Sequence, residues 1–216
     1  MLIIGQPKSA STSLLKTLAA MFKMKFQNGI SKNANYSKDC PGFKTIQSYH
    51  GTMAQRDLRF FQYWINKADI IYKEHILPVP AHIQAINQIN KPILILLRDP
   101  DHSFDNYIRL RADYMVGKLT EKENSILRAQ VFVDMDMKAL RRDLCDFNQG
   151  WTDAKIKSAL YIDYSDLVLR YQKTMEKICL HFRILAKIIP LMRAMGNRDL
   201  YCTYTGVGER RLKGEN

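Results

Sequence analysis

Near its start the chain reads Gly5-Gln6-Pro7-Lys8-Ser9-Ala10-Ser11-Thr12-Ser13, which places four hydroxyls and one ammonium within nine residues. Between a strand and a helix such a stretch is a cradle for an anion. The helix start aims unpaired N–H groups and the positive end of its dipole into the loop, and the hydroxyls add donors. Against the pattern GxxxxGK[ST], Gly5 and Thr12 fit, but Ala10 stands at the second glycine and Ser11 at the lysine. The lysine lies inside the loop as Lys8, an arrangement that disfavours Mg-nucleotide hydrolysis and keeps anion binding. The same residues also read as a Ser/Thr-rich helix cap beside a surface lysine. Further on, Lys73-Glu74-His75 offers a cation and two bases in three residues. Strand alternation sets Lys73 and His75 on one face and Glu74 on the other, which favours His75 as the base. Arg98, in Leu96-Leu97-Arg98-Asp99-Pro100, brings a guanidinium whose fork suits phosphate. The plain alternatives are a solvated surface histidine and an arginine paired with Asp99 or Asp101.

These residues need elements to hold them. Leu2 to Gly5 reads as a short buried strand, and from Thr12 the apolar period becomes helical through Leu14, Leu15, Leu18, Ala19 and Phe22. Residues 27–45, rich in Asn and Gly, predict a long irregular connection, and Gln55 to Asn66 a helix. Asp69 to Lys73 predicts a second strand, Pro80 to Asn90 a helix, and Pro92 to Leu97 a fully apolar strand of the kind found inside parallel sheets. Helices are expected over 101–116 and 121–147, and a strand over Ala159 to Asp163. Ser165-Asp166 then caps a helix reaching Phe182. Strands alternating with helices predict an α/β protein of three layers, α/β/α, around a mostly parallel central sheet. Arg98 would then sit at the carboxyl edge, where ligands of open α/β sheets bind.

The 216 residues suit one domain spanning 1–216, with no repeat, linker or low-complexity tract. A hydrophobic share of 46% and a charged share of 25% exclude wholesale disorder and a coiled-coil rod. The longest aliphatic run, Ile93 to Leu97, is too short to span a bilayer, and no secretory signal opens the chain. Cys40, Cys145, Cys179 and Cys202 form no CxxC pair or cluster with histidine, so no metal site and a reduced, cytoplasmic setting are expected. The net charge of +12 is uneven: residues 1–50 carry seven lysines against Asp39 alone, whereas 101–150 are near balance. That asymmetry calls for an anionic partner, whether a nucleic acid, an acidic surface or a phosphorylated small molecule. No zinc finger, RNA-recognition signature or basic-aromatic repeat is present, so nucleic acid ranks last.

Pro7-Lys8-Ser9-Ala10-Ser11-Thr12 resembles the PKSGTT loop of sulfotransferases, which binds the 5′-phosphosulfate of 3′-phosphoadenosine 5′-phosphosulfate (PAPS). The resemblance implies the P-loop NTPase-like sulfotransferase fold, with Lys8 on the oxygen joining phosphate to sulfate. Ala10 departs from the family's glycine, and Ser13 from a tryptophan that stacks on adenine. The segment around Arg98 is similar to the family's 3′-phosphate motif, and the second ligand's place, eight residues on, holds Asn106. Lys73 and His75 resemble the family's KTHLP segment, in which the histidine takes the acceptor's proton, while Glu74 matches the base type of carbohydrate-directed members. Lys73 precedes Arg98 by 25 residues, close to the family spacing. Tyr164, in Tyr161-Ile162-Asp163-Tyr164-Ser165-Asp166-Leu167, is similar to a tyrosine near the adenine, and equally reads as a core aromatic. Arg210 and Arg211 resemble the basic segment that closes over the 3′-phosphate.

The resemblance implies transfer of a sulfuryl group from PAPS, leaving 3′-phosphoadenosine 5′-phosphate (PAP), to a hydroxyl or amine of a small-molecule or carbohydrate acceptor. His75 would be the base, with Lys8 on the departing oxygen and Lys73 on the sulfuryl oxygens. No metal, nucleic acid or membrane enters this scheme. The alternatives are a P-loop nucleotide or small-molecule kinase, using Gly5, Thr12 and Asp163, and a degenerate member that binds nucleotide without turnover.

Overall fold

The computed structural model describes residues 1–28, 45–47, 54–56, 70–116 and 137–183. Five parallel strands form the central sheet: β1 (Leu2–Gly5), β2 (Lys25–Asn28), β5 (Ile70–Glu74), β6 (Ile93–Leu97) and β7 (Ala159–Asp163), in the order β2-β5-β1-β6-β7. A separate antiparallel pair joins β3 (Thr45–Gln47) to β4 (Ala54–Arg56). β1 is the middle strand, with Ile3 opposite Lys73 on one side and Leu94 on the other. Each of its residues is buried, because helices cover both faces of a parallel sheet.

Side-chain alternation divides the core in two. On one face Ile3, Ile71, Leu94 and Leu96 meet Leu14, Leu15 and Leu18 of α1 (Ser11–Phe22), together with Met175 and Ile178. On the other, Leu2, Ile4, Tyr72 and Ile95 meet Ile86 of α2 (Pro80–Ile89) and Leu140, Leu144, Phe147 and Trp151 of α4 (Met137–Ala154). The spacing of those four residues makes one apolar stripe. Trp151 satisfies its buried indole by donating to Ile76 O at 2.9 Å. α3 (Pro100–Val116) packs against α4, and α5 (Tyr164–Leu169) and α6 (Tyr171–His181) close the described chain. No helix among the described residues is long and apolar enough to cross a membrane.

Several expectations need correction. The connection predicted from residue 27 begins later, because Lys25–Asn28 pairs with β5 as a parallel edge strand. With Lys25 and Phe26 exposed, its sequence carries none of the apolar alternation that would mark a strand. Gln55 and Arg56 belong to β4, not to a helix; residues 57–66 and 29–44, the latter expected as a connection, lie outside the described residues. The helix expected over 121–147 is described only from Met137 and runs on to Ala154. The helix expected to reach Phe182 breaks at Arg170 (φ −128°, ψ 40°) into α5 and α6. Its cap is Asp163, whose Oδ1 accepts from Ser165 N at 2.7 Å.

Gly150, inside α4, packs against Pro78. A Cβ there would overlap the proline ring, lying 2.8 Å from its Cβ. Alanine gains about 1 kcal/mol in helix propensity, but overpacking at a close contact costs about 1–3 kcal/mol. Gly150→Ala is therefore expected to lower the urea midpoint; an unchanged or raised midpoint would show that Pro78 yields.

Candidate functional site

The chain leaves β1 through α1 on one face of the sheet and enters β6 from α2 on the other, so the carboxyl end of β1 is a topological switch point. Three chain segments meet there: the loop after Gly5, His75 just beyond β5, and Arg98 just beyond β6. The helix start packs directly onto the strand end. A Cβ on Gly5 would meet Ser11 Cβ at 2.5 Å and Ser11 Oγ at 2.8 Å, so the close approach requires glycine. Ser9 is fully buried, and both its N–H (3.2 Å) and its hydroxyl (2.7 Å) donate to Gln6 O. Lys8 (φ 65°) and Ala10 (φ 59°) are left-handed, and Ala10 is the N-cap of α1 without a side-chain cap bond. The earliest helical bond runs from Leu14 N to Ala10 O, which leaves the N–H groups of Ser11, Thr12 and Ser13 without intrahelical partners. Pro7 is buried beneath this turn, while Lys8, Thr12 and Ser13 are partly exposed.

Beside the loop, Gly5 O lies 2.5 Å from His75 Nδ1 and Lys73 Nζ lies 3.0 Å from His75 Nε2. A carbonyl only accepts, so Nδ1 carries the proton and Nε2 accepts from the lysine. Burial, then the Lys73 charge, drive the His75 pKa down to about 3. Lys73 falls to about 8, chiefly through burial, with Lys8 pushing the same way and Glu74 opposing. Burial also lowers the Lys8 ammonium, which rests 5.2 Å from the centre of the Tyr107 ring. Glu74 is turned away: one oxygen accepts from Tyr72 OH at 2.9 Å, the other from His75 N at 3.0 Å. The alternation read from the sequence therefore holds, and the two possible bases face different ways.

Arg98 lies under the loop. Its Nη1 donates to Lys8 O at 2.7 Å, and its guanidinium stacks 3.9 Å from the centre of the Tyr164 ring. Tyr164 thus steadies the arginine. Asn106 does not turn toward the loop; its amide donates to His102 O at 2.7 Å, one turn back on α3. Arg210 and Arg211 lie outside the described residues. Sequence reasoning missed Gln6 and Asn148. Gln6 is fully buried, and its Oε1 accepts from Arg98 N at 3.0 Å and from Asn148 Nδ2 at 3.3 Å. The available signal was a polar residue at the end of an apolar strand. For Asn148 it was an amide four residues after Leu144, on the buried stripe of α4.

No protein-family model matches the sequence, and no curated protein matches it. Solved structures do. The mouse sulfotransferase SULT7A1 complexed with PAP aligns with 97% of this chain at a TM-score of 0.53 and 12% identity. The chain spans 65% of that protein. A sulfotransferase from Alicyclobacillus acidocaldarius aligns with 99% of this chain and 92% of its own, at a TM-score of 0.50 and 13% identity. The described chain shares the P-loop-like α/β fold of these proteins.

Two measurements test this geometry. A left-handed alanine costs about 1–2 kcal/mol that glycine avoids, and glycine is also preferred to alanine at an N-cap, so Ala10→Gly should stabilise the protein in urea. A loss of stability would contradict the left-handed turn. The second is a pH titration of stability. His75 is neutral in the fold and protonates when unfolded below its ordinary value near ~6.5. Unfolded chains then hold the extra proton, so stability should fall as pH drops from there toward 3. His75→Asn should flatten that limb, and an unaltered acid limb would refute the assignment.

Proposed function

We propose that this chain is a PAPS-dependent sulfotransferase acting on a hydroxyl or amine of a small-molecule or carbohydrate acceptor. The observation that carries the reading is the line Lys73 Nζ–His75 Nε2–His75 Nδ1–Gly5 O, set beside the Lys8 loop at the switch point of the sheet. The shared fold supports it, and PAP in the aligned mouse enzyme supports a PAPS-type donor.

In this reading His75 Nε2 takes the acceptor's proton as the acceptor oxygen or nitrogen forms its bond to sulfur. The bond from sulfur to the 5′-phosphate oxygen breaks, and PAP departs with that electron pair. Lys8, in the loop, meets the charge growing on the departing oxygen, and the α1 N–H groups hold the phosphate. Lys73 turns from the imidazole to the sulfuryl oxygens. An imidazole with a pKa near 3 is a weak base in the empty site. Its depression comes partly from the Lys73 and Lys8 charges, which a bound anion neutralises, so basicity grows as the donor enters. Glu74, with both oxygens engaged on the other face, is the weaker candidate. Arg98 lies beneath the loop to meet the 3′-phosphate, and Arg210 and Arg211 would add to it.

Thermal denaturation gives the first test: PAP without metal should raise Tm, and ATP with Mg²⁺ should not. The reverse order would favour a kinase. In turnover with PAPS and an accepted hydroxyl compound, His75→Ala should lose about 10²- to 10⁴-fold in kcat with PAP binding kept, whereas Lys8→Ala should impair both. Full turnover in His75→Ala would remove the histidine from the mechanism.

A further inference from the structure

The loop and Arg98 belong to different strands, and the ladder between β1 and β6 ends with Gly5 opposite Leu96 and a last bond from Gln6 N to Leu96 O. Past that point side chains carry the connection. The Gln6 main chain lies in the loop and receives Ser9, while its side chain reaches the other strand. There Oε1 accepts from Arg98 N, and Nε2 donates to Ser103 Oγ at 3.2 Å. Arg98 returns the contact by donating Nη1 to Lys8 O. Asn148 braces the same joint, donating both to Gln6 Oε1 and, at 2.9 Å, to Arg98 O. The result is a closed ring: the loop grips the backbone of Arg98, and Arg98 grips the backbone of the loop. A main-chain N–H can only donate, so it fixes which end of the Gln6 amide faces it. An apolar side chain of the same size would pack equally well and connect nothing, and a buried amide is tolerated only when its bonds are made.

We propose that Gln6 is a positioning residue that sets the distance between the Lys8 loop and Arg98, and so makes the site select ligands with two anionic groups over ligands with one. This deepens the sulfotransferase reading and rests on it, since the bis-phosphorylated nucleoside PAP is the ligand that spans both arms. A ligand held by one arm is indifferent to their separation. A ligand held by both loses affinity when the joint loosens.

The test is calorimetric titration of the full chain with PAP and with adenosine 5′-monophosphate, which has the 5′-phosphate alone. The wild type should favour PAP. Gln6→Met, similar in size but unable to make these bonds, should cut the PAP-to-monophosphate ratio by about tenfold, the scale of one or two lost hydrogen bonds. Asn148→Ala, which removes two bonds without emptying the buried centre, should move the ratio the same way as Gln6→Met and serves if that variant does not fold. Equal loss for both ligands in Gln6→Met or Asn148→Ala overturns the positioning role alone. A wild type that binds neither nucleotide overturns the sulfotransferase reading and this proposal together.

Discussion

The carbonyl of Gly5 receives the Nδ1 proton of His75, and the missing side chain of the same residue lets Ser11 sit against the strand end. The first contact fixes the imidazole tautomer; the second fixes where α1 begins. Because Gly5 ends the central strand, with β5 on one side and β6 on the other, these two constraints reach all three segments of the site. Any side chain at position 5 would push the helix away, and with it the backbone N–H groups of its first turn.

The electrostatics follow from that compression. Lys8, Lys73 and Arg98 are gathered at one sheet edge, and Lys8 and Lys73 both sit below the ordinary lysine value because burial removes the water that would solvate their charge. Glu74 opposes this at Lys73, yet its oxygens are held by Tyr72 and the His75 main chain on the opposite face. Like charges held this close oppose one another, which costs the fold some stability. Of the seven lysines in the first fifty residues, Lys8 is the one that joins this group.

Much of this was legible from residue types. Apolar runs located β1 and β6, because strands buried on both faces admit few polar residues, and a shorter apolar run located the edge strand β7. The period change after Gly5 located α1, and alternation separated Lys73 and His75 from Glu74. What stayed hidden lacked a local signature. β2 is a polar edge strand, recognisable only from its partner β5. The break at Arg170 interrupts an amphipathic pattern that reads as continuous, with Asp166 O accepting from both Arg170 N and the Thr174 hydroxyl. Gln6 and Asn148 act across 92 and 50 residues of sequence in their contacts with Arg98. Asn106 shows the opposite failure: a position suited by spacing is claimed by a neighbouring carbonyl of its own helix.

The hydrogen bond from Lys73 to His75 Nε2 has a chemical corollary. One imidazole nitrogen is committed to a carbonyl and the other to an ammonium, so the basic lone pair of the ring is already engaged. In the sulfotransferase reading proposed above, the ring becomes a base only once an incoming anion draws the ammonium aside.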